Sequence, residues 1–401
     1  MTDVTVWTGA STTDWHTAGN WDDGVPSTSK IASIPSAPSN QPTMSSDGTC
    51  HAIQLDTSAT LTGGSNITLY ITGESAGETD APPDGYCLKF EGIISGELSL
   101  NITTPDTTNM YPHSSSGDPH HLTWNSAGNS LNLQGGGLDI GGNLSITAGT
   151  FDTKNNAATI GSWIDGNGTF EAGTSTVTCG NGVTCSIFNM GAGIINTGND
   201  FRAGTATFSA DTTVNCDAQI GGRIISTGHS PTINAGRIYS SLDMQSGDQG
   251  TSTFNLDLTE NQLTGGSSND LFFYNLELDS QGTENNTYTM QGDITCTGDL
   301  TITDGEIDTG SDHALTVTGL TVVGAGGAED AATLTCNDSA VSLGNLVTSG
   351  FGLTVHQGGT FTGGTGTHTI GSLTTTSHAH CKVTLTDDIT TVNGESANYM
   401  W

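Results

Sequence analysis

Positive charge is nearly missing from this chain. Seven Lys and Arg stand against 41 Asp and Glu, a formal net charge of −34 over 401 residues. The seven (Lys30, Lys89, Lys154, Arg202, Arg223, Arg237 and Lys382) are scattered without a cluster, and a groove that tracks phosphates needs one, so nucleic-acid binding is set aside. No apolar run reaches the ~18 residues of a membrane-spanning helix. No segment repeats apolar residues at helical spacing, and Gly, Thr, Ser, Asn and Asp crowd out the strong helix formers. There is no CxxC pair, GxSxG, HExxH or P-loop, so the common zinc, serine-hydrolase and nucleotide signatures are missing. Residues 1–11, MTDVTVWTGAS, carry neither a basic n-region nor an apolar h-region. The expectation is therefore a protein made and folded in the cytoplasm, or one whose leader has been removed.

What is present is a repeat. Residues 142–173, GNLSITAGTFDTKNNAATIGSWIDGNGTFEAG, begin with a pattern that returns at 298–309 as GDLTITDGEIDT. Leu144 superposes on Leu300, Ile146 on Ile302, Gly149 on Gly305, Asp152 on Asp308 and Thr153 on Thr309. Apolar and small polar residues alternate with the period of two of a strand with one buried face. Gly-bearing pairs, Ala148-Gly149 and Asp304-Gly305, then turn the chain before a second short strand at 150–153 or 307–309. The same strand-corner rhythm runs through 61–71, 98–102, 131–140, 177–187, 271–278, 315–323, 334–346, 353–361 and 383–389. The fold expected is all-β, a right-handed parallel β-helix or solenoid of ~15 coils at roughly 20–25 residues each. A sandwich of this length would need several domains joined by linkers, and none is visible. Only 33% of residues are hydrophobic, which suits a thin stacked core, while the regular alternation opposes disorder.

Three segments are expected. Residues 1–44 hold Trp7, Trp15 and Trp21 and form a Trp-rich cap or attachment segment; 45–350 form the solenoid, with irregular loops at 73–86 and 101–121; 351–401 form C-terminal coils and a second cap ending in Trp401. An open solenoid end exposes apolar side chains and unpaired strand edges, which indoles can cover. The same four tryptophans are candidates for docking onto a larger assembly. Cys179, Cys185, Cys216, Cys296 and Cys336 each follow an apolar residue by two, and Cys381 precedes Val383 by two, so they are expected as buried thiols on the inward face. His113, His120 and His121 with Asp106 and Asp118, and His378 and His380 beside Cys381, have ligand chemistry but sit in polar stretches where solvated histidines are the simpler reading. No cofactor is expected, although so many aspartates allow a surface divalent cation such as calcium. Adjacent acidic pairs such as Asp22-Asp23 and Asp387-Asp388 face opposite sides of a strand or mark a corner, so no catalytic residue is assigned and no enzyme is expected.

The segments TFEAGTSTVTCGNG (169–182), DLFFYNLELDS (270–280) and GDLTITDGEIDT, with the opening WTGASTTDWHTAGNWDDGVP, resemble β-helical virion structural proteins of tailed bacteriophages or archaeal viruses. Some bacterial surface proteins share such repeats, and the resemblance covers about two-thirds of the chain, as an architecture and not an activity. It implies a non-enzymatic virion protein, a capsid decoration, head fibre or tail fibre or spike, assembled in the host cytoplasm and aiding host attachment. It further implies a homotrimer bound to capsid or tail proteins, with a host-surface glycan as a further partner. The alternatives are an extracellular cell-surface adhesin or filament subunit, and a polysaccharide-degrading tail spike.

Overall fold

The computed structural model describes residues 2–36, 38–112, 119–238, 242–243, 247–257, 262–263, 270–279, 287–311, 313–324, 332–348, 359–375, 381–384 and 390–392. The chain divides into two compact units, 1–198 and 199–401. Both are parallel β-solenoids, together about 14 turns, and the only helical turn among the described residues is Ala18–Asn20.

In the first unit one face stacks Asp3–Val6, Lys30–Ile34, Ile53–Leu55, Tyr86–Phe90, Thr108–Tyr111, His121–Leu133, Leu144–Asp152, Thr169–Gly173 and Ile187–Met190 in that order. A second face stacks Leu138–Ile140, Ala158–Ile160, Thr176–Cys179 and Ile194–Thr197, and a short third face Thr43–Met44, Thr60–Gly63 and Ile93–Gly96. The region expected as a loop at 101–121 contains the strand Thr108–Tyr111, because Thr108 and Met110 alternate inward with Asn109 and Tyr111. Residues 73–85, by contrast, contain no strand.

In the second unit the longest stack runs from Thr213–Ile220 through Thr232–Ile238, Thr253–Asp257, Asn275–Asp279, Leu300–Ile302, Leu315–Val323, Val341–Thr348 and His368–Thr375 to Thr390–Val392. Beside it six strands stack from Gln262–Leu263 to Lys382–Thr384.

The stacking is in register, so like residues meet. Phe151, Phe170 and Phe188 pair strand to strand, with ring centroids 5.8 and 5.1 Å apart and planes 17° and 15° from parallel. On the outer face of the second unit Asn234 donates to Asn215 Oδ1 at 2.7 Å, and Asn255 donates to Asn234 Oδ1 at 2.8 Å. Each of these bonds joins one coil to the next.

The two sequence copies fold alike at their corners. Gly149 and Gly305 take φ of 82° and 84°, a left-handed conformation that disfavours any Cβ. A Cβ on Gly149 would also lie 2.2 Å from Ser126 O. Asp152 Oδ1 accepts Lys154 N at 2.8 Å and Asp308 Oδ1 accepts Gly310 N at 2.7 Å, the local turn that aspartate favours. Thr153 and Thr309 are both fully buried and donate to a carbonyl of the next coil, Ala172 O at 2.8 Å across 19 residues and Cys336 O at 2.7 Å across 27.

Candidate functional site

The tryptophans of the first unit gather at the end of its stack. Asp3–Val6 pairs with Lys30–Ile34 on one side only. Residues 20–24 occupy its other edge: Asp22 N donates to Val6 O at 3.1 Å, Asp22 Oδ1 accepts Val6 N at 2.7 Å, and Thr8 N donates to Asn20 O at 2.7 Å. Trp7 and Trp21 form an antiparallel bridge there. The chain between them crosses to the third face, where Trp15 N donates to Thr43 O at 3.0 Å and Thr43 N to Thr13 O at 2.6 Å.

The centre of this crossing is Asn20, fully buried. Its Oδ1 accepts Ser11 N at 2.9 Å and Thr12 N at 2.8 Å, and its Nδ2 donates to Thr12 Oγ1 at 2.9 Å and Asp14 O at 2.8 Å. All four amide hydrogen-bonding positions are used, which is what a buried amide requires. Around it the indoles interlock. Trp21 lies 5.0 Å from Trp7 and 4.9 Å from Trp15 between ring centroids, at 80° and 79°, the edge-to-face geometry that aromatic quadrupoles prefer. Trp7 Nε1 donates to Asn40 O at 2.7 Å and Trp21 Nε1 to Trp15 O at 2.8 Å. The three rings are 1%, 0% and 4% exposed for Trp7, Trp15 and Trp21. They are core, and an anchor for a partner would first have to leave it. Trp401 lies outside the described residues.

The 73–86 loop folds back over this end. Glu78 Oε1 accepts Thr2 N at 3.1 Å, while Oε2 accepts Ser75 Oγ at 3.0 Å and Ala76 N at 2.9 Å. Burial acts to raise the Glu78 carboxyl, but the hydrogen bonds from its own N–H, Thr2, Ser75 and Ala76 outweigh it and hold the group below the usual carboxylate range. His51 Nδ1 faces Thr28 O and Nε2 faces Glu74 O, each at 3.0 Å. Glu74 is raised by burial and, further, by Asp106 and Asp84, against hydrogen bonding to Thr108 and the charge of His51. Asn20, His51 and Glu78 carry no signal in the sequence. Each looks like any other polar residue until the fold brings its partners, 2 to 76 residues away, beside it.

The other candidate groups do not assemble a centre. His120 and His121 stack edge to face, 4.4 Å apart at 72°. His121 Nδ1 accepts Asn143 N at 2.8 Å, and burial followed by the neighbouring His120 pushes the ring's pKa down. His113, Asp118, His378, His380, Asp387 and Asp388 lie outside the described residues. Among the described residues no group of three or more His, Cys, Asp or Glu is placed to hold a metal ion. Asp22 and Asp23 are corner residues, the first on Val6 N and the second paired to Lys30 at 2.7 Å.

No family model, curated protein or solved structure matches this chain.

The geometry spends reactive groups on the fold. Among the described residues five cations form ion pairs: Lys30 with Asp23, Lys89 with Glu91, Lys154 with Asp152, Arg202 with Asp200 and Arg223 with Asp248. Cys50, Cys87, Cys179, Cys185, Cys216, Cys296 and Cys336 are buried, as the alternation predicts for the last five, and Cys381 is half-buried. Burial pushes Cys87, Cys179, Cys185, Cys296 and Cys336 up to about 12 and raises Cys50 as well. Thiols so far from ionising are poor nucleophiles.

Proposed function

We propose that this protein is a non-enzymatic structural component of a virion surface, a capsid decoration, head fibre or tail fibre or spike, working by shape and stiffness. The observation that carries the reading is the use of outward polar groups as coil-to-coil fasteners. Asn234 bridges Asn215 and Asn255, and the Glu306 carboxylate accepts Thr287 Oγ1 at 2.9 Å from one coil and Thr335 Oγ1 at 2.6 Å from another. A catalyst needs polar groups held apart for substrate; these are taken up by their neighbours. Such fasteners make each unit rigid, which is the property a fibre or decoration requires. The resemblance of the opening and of segments 169–182, 270–280 and 298–309 to β-helical virion proteins supplies the setting and the homotrimeric, capsid- or tail-bound state.

Fractionation tests it. Antibody to the chain should follow virus particles through a density gradient and label their surface in electron micrographs. Recovery in the cell envelope and not with particles would overturn the reading in favour of an adhesin, and release of reducing or unsaturated sugar from host polysaccharide in favour of a depolymerase.

A further inference from the structure

We propose that one face of the first unit is a binding strip for a neutral oligosaccharide, laid along the stack between Tyr70 and Trp163. The strip stands on this unit's own residues and holds wherever the protein is displayed, so it can fail while the virion reading stands, and the reverse.

Register sets the strip. The parallel strands Thr68–Ile71, Ser99–Ile102, His121–Leu133, Leu144–Asp152 and Trp163–Asp165 pair in that order. Leu69, Leu100, Leu122, Leu144 and Ile164 are fully buried, so alternation turns the residues on either side of them outward. One outward rank reads Tyr70, Asn101, Thr123, Ser145 and Asp165. Beside it His121, Asn143 and Trp163 follow one another: Asn143 N donates to His121 Nδ1 at 2.8 Å, and Asn143 Oδ1 accepts Trp163 N at 3.3 Å. Coil steps of ~4.8 Å put the first of these strands about 19 Å from the last, a length that suits a chain of sugars and exceeds a single ring.

Both ends of the strip are aromatic. Tyr70 is 39% exposed, and Trp163 is half-buried where Trp7, Trp15, Trp21 and Trp124 are all buried. Trp163 pairs with Gly182, which brings no side chain beside the indole. Unlike the line of Asn215, Asn234 and Asn255, the groups along the strip are largely not fasteners. Tyr70, Thr123, Ser145 and Trp163 make no side-chain hydrogen bond among the described residues. Because His121 Nδ1 accepts Asn143 N, the neutral ring carries its proton on Nε2, as a donor. Aromatic faces stack on the C–H side of a sugar ring, and hydroxyls and imidazole between them give and take hydrogen bonds from its hydroxyls. A peptide strand fits less well, because it pairs with an open sheet edge and the main chain of this face is already paired. The sugar is neutral because neither rank holds a Lys or Arg, while Asp165, in a chain of net charge −34, repels anionic sugars.

A glycan array carrying neutral, sialylated and sulfated glycans tests this, probed with the full chain and with its Tyr70→Ala, Trp163→Ala and Ile194→Ala variants. Ile194, 42% exposed on the second face of the same unit, is the control. All three side chains point outward, and a melting midpoint equal to the parent's shows that a variant is folded. The expected result is binding to neutral glycans. Affinity for the best of them, measured by calorimetry, should fall at least about tenfold in Tyr70→Ala and in Trp163→Ala and stay unchanged in Ile194→Ala. No binding to neutral glycans, a preference for the charged ones, binding that survives either aromatic substitution, or an equal loss in Ile194→Ala overturns the proposal. Should one aromatic variant not fold, the other decides.

Discussion

His368 shows what burial does to one titratable side chain. It is fully buried in the strand His368–Thr375, in register with Val341, and neither ring nitrogen has a partner among the described residues. Burial disfavours the charged ring and pushes its pKa below the ordinary value. The unfolded chain, with a ring of ordinary pKa near 6.5, then binds more protons than the folded one in mild acid. The stability that the neutral ring contributes is complete above that ordinary value and is lost as pH falls through the lowered folded one. Thermal melts from about pH 7.5 down to about pH 5 should therefore show a falling midpoint. His368→Leu should flatten the part of that slope owed to this ring, and an unchanged slope would remove His368 from the account.

At the scale of the strand and its corner, aspartate is a fastener more than a charge. Asp47 accepts Thr68 N at 2.8 Å, Asp211 accepts Ser230 N at 2.8 Å, Asp293 accepts Ala314 N at 2.7 Å and Asp299 accepts Leu320 N at 2.8 Å, each through Oδ1 to a residue 19 to 21 positions on. Asn155 and Asn275 do the same for Thr174 N and Asp299 N. A short side chain with an oxygen at Cγ reaches the next coil's N–H where glutamate's extra methylene overshoots. Aspartate can therefore dominate the acidic residues for a structural reason. Because the oxygen and not the charge makes the bond, Asp293→Asn should leave unfolding free energy within about 0.5 kcal/mol of the parent. Asp293→Ala should cost about 1 kcal/mol, the net value of one hydrogen bond. Denaturant melts of the two variants measure this directly, and equal losses would show that charge is the active property.

For the molecule as a whole, a net charge of −34, with five cations paired among the described residues, leaves repulsion as the long-range term. Repulsion within each compact unit destabilises it and is screened by salt over a Debye length that shrinks from about 30 Å at 0.01 M to about 3 Å at 1 M. The melting midpoint should rise with NaCl across that range. A matched rise in chloride salts of different monovalent cations would assign it to screening, and a flat curve would show that the carboxylates are too dispersed to repel.

Much of the fold was legible in the sequence because its signals are local. Alternation placed Leu144, Ile146, Leu300 and Ile302 inward, and Gly149 and Gly305 marked corners that the backbone reaches only with positive φ. The offset of two from an apolar neighbour put Cys179, Cys185, Cys216, Cys296 and Cys336 inside. Each depends on residues within one strand or turn, so chain order suffices to read it. The strand Thr108–Tyr111 escaped because prolines and polar residues on both sides hide a four-residue alternation. What only the tertiary structure decided is which residue meets which one coil away. That Glu78 reaches Thr2, and that Asn215, Asn234 and Asn255 join in a line, depends on coil lengths set by the intervening turns. No residue at either end encodes those lengths.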